Sequence, residues 1–182
     1  MKNILILSSS PNDNGLTAAC ARAAKVGAED AGAMCRWISL NEHTLERCRA
    51  CGDGWGTCRQ AHVCCIGDDF DALQRQIAQA DALVAVTPVY WGEPSEAHKA
   101  FFDRLRRCEA TAQEKSRLYG KPVVCVAAAG GGGGGTVTCM AQMERAMQHM
   151  RAVIHDRIPI TRYSREYQLD AIRAAVRSLA ER

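Results

Sequence analysis

A hydroxyl-rich stretch near the N-terminus carries residue types suited to holding a phosphate group. Ser8–Thr17 follows the apolar run Ile4–Leu7 and precedes Ala18–Ala31, an alanine-rich stretch with strong helix propensity. A strand, a turn and a helix in this order direct free backbone N–H groups and the positive end of a helix dipole at one point. The serine and threonine hydroxyls add further donors. The stretch therefore predicts a phosphate site, although the same residues are also compatible with a plain turn.

A second stretch, Pro88–Gly92, places Tyr90 and Trp91 on a predicted loop, Thr87–Gly92. Two large aromatic side chains there, with nearby backbone N–H groups, suit a flat, electron-poor ring whose carbonyls and nitrogens accept hydrogen bonds. The alternative is that both rings cover the edge of a sheet or a contact between subunits.

A third stretch consists of Ala129 and the glycine run Gly130–Gly135. It contains a formal G-x-G-x-x-G between a predicted strand and helix, with Asp156 about 20 residues further on. An unbroken run of glycines satisfies any glycine pattern, and only one more strand follows, so a dinucleotide-binding half is not predicted. The run either approaches a flat ligand closely or forms a flexible loop.

Cysteine is the compositional anomaly, with ten residues in the chain. Five lie singly in predicted strands or helices and are expected to be small buried apolar residues: Cys20, Cys35, Cys108, Cys125 and Cys139. The other five crowd between residues 48 and 65, in a C-x-x-C-containing segment. In a reducing compartment such a segment favours thiolate ligands over disulfides, and four thiolates would hold zinc or a [4Fe–4S] cluster. A metal-free segment is the alternative.

Length and composition predict one globular domain over residues 1–182, with a Cys-rich loop at 41–66. The apolar fraction is 47%, the charged fraction 24% and the net charge +3. So mild a charge, with no basic stripe, argues against nucleic acid as a partner. No apolar run is long enough to span a membrane and the chain starts directly on a strand, so a cytoplasmic protein without a membrane partner is expected.

The elements needed to position these stretches alternate regularly. Five strands are predicted, each followed by a helix, at Ile4–Leu7, Met34–Leu40, Ala82–Val86, Pro122–Ala129 and Val153–Ile160. Such alternation predicts an α/β fold with a five-stranded parallel sheet and helices on both faces. The three chemically interesting loops then all lie beyond the carboxyl ends of the strands, where ligands bind to such sheets.

The residues of these loops resemble those of a known family. Pro88–Trp91, followed by Lys99–Arg104, is similar to the hallmark of NAD(P)H-dependent FMN reductases, Pro-x-Tyr-Trp and then Lys-x-Phe-x-Asp-Arg. Lys99 and Asp103 are four residues apart and are expected to pair on a helix as structural residues. The first stretch is similar to the family's phosphate loop, Gly-Ser-Pro-Arg-x-x-Gly-Asn-Thr. Ser10, Pro11, Gly15 and Thr17 match it, whereas Asn12 replaces the arginine and Leu16 the asparagine.

This resemblance, which runs from Lys2 to about Ile160, implies a flavodoxin-like three-layer α/β/α sandwich that binds FMN. It also implies an oxidoreductase, a homodimer or tetramer, that passes hydride from NAD(P)H through FMN to a small acceptor: a quinone, a nitro compound, a metal ion or free flavin. No side chain is expected to exchange protons. At the positions that match the family, the resemblance implies two sets of FMN-binding residues. The phosphate would be held by Ser10, Asn12, Gly15, Leu16 and Thr17, and the flavin ring by Pro88, Val89, Tyr90, Trp91, Gly92, Ala129, Gly130 and Gly131.

The Cys-rich segment, followed by Asp68-Asp69 and a helix, resembles the iron-sulfur flavoproteins and their clusterless relatives. The resemblance implies Cys48, Cys51, Cys58 and Cys65 as ligands if a cluster or zinc is bound; Cys65 rather than Cys64 keeps the family's Cys-x-x-Asp-Asp spacing. Cluster-bearing members space their cysteines more tightly than this chain does, because residues 52–57 are inserted. An electron-transfer iron-sulfur flavoprotein and a zinc-stabilised binding module are therefore the alternatives to the reductase.

Overall fold

The computed structural model describes residues 1–182. The chain alternates strands and helices almost throughout, with short 3₁₀ turns at Leu40–Glu42 and Gln113–Lys115. In chain order the elements are β1 Asn3–Ser8, α1 Leu16–Asp30, β2 Met34–Ser39, α2 Phe70–Gln79, β3 Ala82–Tyr90, β4 Glu93–Pro94, α3 Glu96–Glu109, β5 Pro122–Ala129, α4 Thr136–His149, β6 Val153–Thr161 and α5 Arg165–Glu181. Residues 43–69 form neither an α-helix nor a strand, as the Cys-rich composition predicts.

Five of the strands form one parallel sheet in the order β2-β1-β3-β5-β6. The two-residue strand β4 pairs antiparallel with the end of β3 and lies outside this order. The predicted five-stranded parallel sheet is therefore confirmed. The strand order reverses between β1 and β3, so the loops that follow these two strands flank the topological switch point, where open α/β sheets bind ligands.

The sheet is buried on both faces, which gives the three-layer sandwich. Successive side chains of a strand point to opposite faces, and β1 shows the result: Ile4 and Ile6 pack with α1 and α5, whereas Leu5 and Leu7 pack with α2, α3 and α4. The near-continuous apolar character of β1, β3 and β5 is what burial on two faces requires. The predicted flavodoxin-like α/β/α architecture is confirmed.

Four of the five isolated cysteines lie in this core, as predicted: Cys20, Cys108, Cys125 and Cys139. Cys35 is only partly buried. Burial raises the pKa of the Cys125 thiol to about 12, so this sulfur stays protonated and packs as an apolar atom.

No helix of the chain combines the length and the apolar character needed to cross a lipid bilayer.

Candidate functional site at the switch point

The first loop is fixed to the sheet and folded by its own hydrogen bonds. Ser9 N–H and Ser9 Oγ both donate to Val86 O, at 3.1 and 3.2 Å, which attaches the loop to β3. Ser10 Oγ accepts from Asn12 N–H at 3.1 Å, and Asn12 Oδ1 accepts from Asn14 N–H at 2.8 Å. Two of the predicted phosphate ligands, Ser10 and Asn12, therefore use their side-chain oxygens to shape the loop.

The start of α1 presents backbone donors that nothing in the chain satisfies. The first hydrogen bond of the helix runs from Ala19 N–H to Gly15 O, and the N–H groups of residues 15–18 have no partner. The first turn of α1 contains no acidic side chain, and the cap residue Gly15 supplies no side-chain acceptor. Free N–H groups at the positive end of a 15-residue helix fit a phosphate group.

The second loop is largely strand, which corrects the predicted loop Thr87–Gly92. Strand β3 continues to Tyr90, Pro88 lies opposite Ala128 of β5, and Val89 and Tyr90 pair with β4. The turn itself is Trp91-Gly92, with φ of 53° and 83°. Two positive φ values match the twist of a two-residue hairpin. The sequence predicted a loop here, but Val89 and Tyr90 have high strand propensity and a pairing partner downstream.

The hairpin tip packs against the third loop. A Cβ on Gly135 would lie 2.5 Å from Gly92 Cα, so this contact requires glycine at position 135. Thr138 Oγ1 of α4 donates to Gly92 O at 2.8 Å. By contrast, a Cβ on Gly130 or Gly131 would meet open space. The glycine run therefore has two parts: its end fixes the hairpin, and its beginning leaves the rim open.

Buried hydroxyl groups connect the loops to α3. Ser95 Oγ donates to Ser9 O at 2.9 Å, and Thr87 Oγ1 accepts from Ser95 N–H at 3.0 Å. Ser95 is also the N-cap of α3, accepting from His98 N–H. Sequence reasoning did not identify this network. The signal for its centre was present, since serine immediately before a predicted helix is a preferred cap residue.

His98 is a buried neutral base beneath this network. Its ring stacks on Phe102 at 4.2 Å between centroids, and its Nδ1 atom has no hydrogen-bond partner. Burial, with a smaller effect from the charge of Lys99, lowers the pKa of His98 to about 3. The imidazole is therefore uncharged at neutral pH.

The Cys-rich segment is anchored to the domain by Arg104. This buried guanidinium donates to Asp68 Oδ2 at 2.6 Å and Oδ1 at 2.8 Å, to Glu46 O at 3.0 Å and to Cys64 Sγ at 3.4 Å. Lower on α3, Arg107 stacks on Trp55 at 4.1 Å and donates to the Gly54 carbonyl. The predicted pair Lys99–Asp103 is present at 3.4 Å, and both side chains are exposed.

All five cysteines of the segment line one small cavity, together with Arg49, Arg104 and Arg107. Within it, Cys51 Sγ and Cys65 Sγ lie 3.5 Å apart, and this hydrogen-bonding contact is the largest effect raising the pKa of Cys51. No group of three or more Cys, His, Asp or Glu side chains is arranged to hold a metal ion. The predicted ligands Cys48, Cys51, Cys58 and Cys65 thus share a cavity, and their role in holding zinc or a cluster stays a prediction.

The three loops present different groups at the carboxyl edge of the sheet. Free N–H groups lie at one end, and the fully exposed ring of Trp91 and the open glycines Gly130 and Gly131 lie on the other two loops. None of the five principal cavities of the chain is lined by residues of these loops.

Comparison with solved structures shows the same fold. RosB, crystallised with the intermediate 8-demethyl-8-formylriboflavin-5′-phosphate, matches 99% of this chain and 79% of its own, with a TM-score of 0.79 and 14% identity. An azoreductase from Bacillus anthracis matches 100% of this chain and 99% of its own, with a TM-score of 0.69 and 14% identity.

Curated relatives carry the name iron-sulfur flavoprotein. One from Methanocaldococcus jannaschii is 28% identical over 121 residues, which are 66% of this chain and 61% of the relative. One from Methanosarcina thermophila is 34% identical over 73 residues, 38% of this chain and 36% of the relative. The matches thus cover less than two thirds of the length of these relatives.

The sequence profile of one family, described as NADPH-dependent FMN reductase, matches residues 2–161. This match includes the three loops at the switch point, the Cys-rich segment and every strand of the sheet. The chain therefore belongs to the NADPH-dependent FMN reductase family.

Proposed function

We propose that this chain binds FMN at the switch-point rim and acts as an oxidoreductase that passes reducing equivalents from NAD(P)H to a small acceptor. The observation that carries the proposal is the set of unpartnered N–H groups at residues 15–18, at the point where the strand order reverses. The family match and the fold of flavin-binding neighbours support it. The two apolar clusters share one sheet, so we also propose that residues 1–182 form a single domain.

We assign the phosphate to the N–H groups of Gly15, Leu16 and Thr17, with Ser10 and Asn12 shaping the loop around it. The ring is assigned to the edge formed by Pro88–Gly92 and Ala129–Gly131. FMN, when bound, supplies the chemistry of accepting a hydride and releasing electrons to an acceptor. The chain's own contribution is to orient the ring and to present backbone donors to it, while its one buried histidine at this edge stays uncharged.

We further propose that a second copy of the chain covers the rim, giving a homodimer or tetramer. The ring of Trp91 is wholly exposed, and Val137 on the neighbouring turn of α4 is 80% exposed. Two such apolar side chains beside an open ligand edge are typical of a surface that is covered in the assembled protein.

An isosteric charge change tests the phosphate assignment. Asn12→Asp keeps the oxygen that accepts from Asn14 N–H, so the loop keeps its shape, but it adds a negative charge beside the free amides. Repulsion between this charge and the phosphate should weaken FMN binding by about tenfold or more, equivalent to at least ~1.4 kcal/mol. FMN fluorescence titration measures the change. Gln79→Glu adds the same charge at the end of α2, near the amino ends of the strands, and should leave affinity unchanged. Equal affinity for all three proteins would contradict the assignment.

The second candidate function is that of an electron-transfer iron-sulfur flavoprotein. The specific observation in its favour is that five cysteines line one cavity with three guanidinium groups, which would stabilise thiolates. The wider cysteine spacing caused by residues 52–57 argues against it. Anaerobic purification, followed by an absorption spectrum and an iron and sulfide count, distinguishes a bound cluster from flavin alone.

A further inference from the structure

One contact in the Cys-rich segment is not used by the proposed flavin chemistry. Cys51 Sγ and Cys65 Sγ lie 3.5 Å apart, and theirs is the one hydrogen-bonding contact between two sulfur atoms among the ten cysteines. The two residues are separated by 14 positions of irregular chain, so the loop conformation and not a helix or strand brings them together.

Two of the neighbouring thiols, Cys58 and Cys64, are engaged elsewhere. Cys64 Sγ accepts from Arg104 Nη2 at 3.4 Å, and Cys58 and Cys64 pack against the large apolar cluster. Cys65, by contrast, is exposed. A solvent-borne reagent therefore reaches the Cys51–Cys65 pair directly, whereas Cys64 is held by a buried cation.

The local backbone leaves room for the two sulfur atoms to approach each other. A disulfide bond is about 2.05 Å long, so the sulfur atoms must move together by roughly 1.5 Å. A Cβ on Gly56 would lie 3.1 Å from Cys51 Cβ and 3.6 Å from Cys65 Sγ, and glycine at this position keeps that space free. Gly52 and Gly54 adopt φ of 63° and 107°, and they allow the intervening chain to adjust.

We propose that Cys51 and Cys65 form a dithiol pair that is oxidised reversibly to a disulfide by exchange with a small disulfide of the glutathione class. The exposed Cys65 thiolate attacks the small disulfide; its S–S bond breaks, a mixed disulfide forms and one small thiol leaves. Cys51 then attacks the Cys65 sulfur, which forms the Cys51–Cys65 bond and releases the second small thiol. The protein loses two electrons and two protons, and the small disulfide gains them.

Thiol counting on the full chain tests this pair. The purified protein is equilibrated with glutathione buffers of increasing oxidised fraction, alkylated, and analysed by intact mass and by peptide mapping. The wild type should lose two alkylatable thiols together and yield a linked peptide containing Cys51 and Cys65. Cys51→Ser and Cys65→Ser should each abolish this paired loss, whereas the matched variant Cys58→Ser should keep it.

Three results would overturn the proposal: no paired loss in the wild type at any buffer ratio, a linked peptide that joins other cysteines, or stoichiometric iron or zinc on these thiols in the purified protein. None of these readouts depends on flavin. A chain that binds FMN but never forms the linked peptide contradicts the dithiol proposal alone. A chain that forms the linked peptide but does not bind FMN contradicts the flavin proposal alone.

Discussion

Arg104 and Asp68 form a fully buried, two-point ion pair: the guanidinium donates to both carboxylate oxygens, at 2.6 and 2.8 Å, and neither side chain is more than 3% exposed. The pair joins α3 to the end of the Cys-rich segment, 36 residues earlier in the chain. Burial by itself would raise the pKa of Asp68, but hydrogen bonds from Arg104 and from the N–H groups of Glu46 and Phe70 outweigh it and lower this pKa.

Removing one partner should therefore be costly. Asp68→Asn leaves a buried guanidinium without a counter-charge, and Arg104→Met leaves a buried carboxylate, so each should lower the free energy of unfolding by about 3–5 kcal/mol. The double variant should cost less than the sum of the two single changes, because no buried charge is left unpaired. Urea unfolding of the four proteins measures this coupling. Additive losses would show that the two groups do not stabilise each other.

Acid should weaken this anchor. The pKa of Asp68 is lower in the folded chain than in the unfolded chain, where it is about 3.9. The ionised carboxylate therefore contributes fully to the free energy of unfolding above about pH 3.9, and this contribution is lost as the pH falls through the folded pKa.

Because of the contact between Gly135 and Gly92, we expect alanine to destabilise the fold at Gly135 but not at the neighbouring Gly134. Gly135→Ala introduces a Cβ 2.5 Å from Gly92 Cα at a φ of 83°, and the backbone conformation alone should cost about 1–2 kcal/mol before the overlap is counted. At Gly134 a Cβ meets nothing within 4 Å, so Gly134→Ala should change stability by less than about 0.5 kcal/mol. Thermal unfolding of both variants is the measurement. Equal losses at the two positions would mean that the hairpin does not pack on the glycine run.

The organisation of the sheet follows from local sequence, but the site's internal connections do not. The apolar runs of β1, β3 and β5 and the helical spacing of Phe70, Leu73 and Ile77 are local signals, and they sufficed to predict five strands and their wrapping. Ser95 and Ser9 lie 86 residues apart, and no local pattern links them. The turn Trp91-Gly92 also lacks the Asn-Gly signature by which two-residue hairpins are usually recognised, so the strand pairing was missed.

The cysteines illustrate the same limit. The family resemblance implied Cys48, Cys51, Cys58 and Cys65 as one set, and the cavity does bring them together with Cys64. Which sulfur atoms face each other depends on the path of residues 52–64 and on Arg104, a residue 40 positions beyond Cys64. That information is three-dimensional, so the sequence left a cluster, zinc and free thiols all open.

His98 should make the fold acid-sensitive in a defined range. Its pKa is about 3 in the folded chain and about 6.5 unfolded, so between these values the unfolded state binds more protons and stability rises with pH. Lowering the pH from about 7 to 4 should cost on the order of 3 kcal/mol through this group. His98→Phe keeps the stack on Phe102 and should remove that part of the pH dependence, whereas His149→Gln, at an exposed position, should not. If the free energy of unfolding varies with pH in the same way for the wild type and for His98→Phe, His98 is not the source of this acid sensitivity.

Trp91 allows assembly to be separated from folding. Its ring is fully exposed and its φ is 53°, a conformation that asparagine adopts readily, so Trp91→Asn removes the ring while creating a favourable Asn-Gly hairpin turn. Unfolding of the isolated chain should be unchanged or slightly stabilised, by up to about 1 kcal/mol. If the ring is buried against a second copy, its loss should weaken self-association by about tenfold or more, since aromatic anchors dominate such interfaces. Sedimentation velocity over a concentration series measures this. Tyr119→Asn, next to the amino end of β5 and half-exposed, is the matched control and should leave association unaltered. Association that is insensitive to Trp91→Asn would place any subunit contact away from the hairpin.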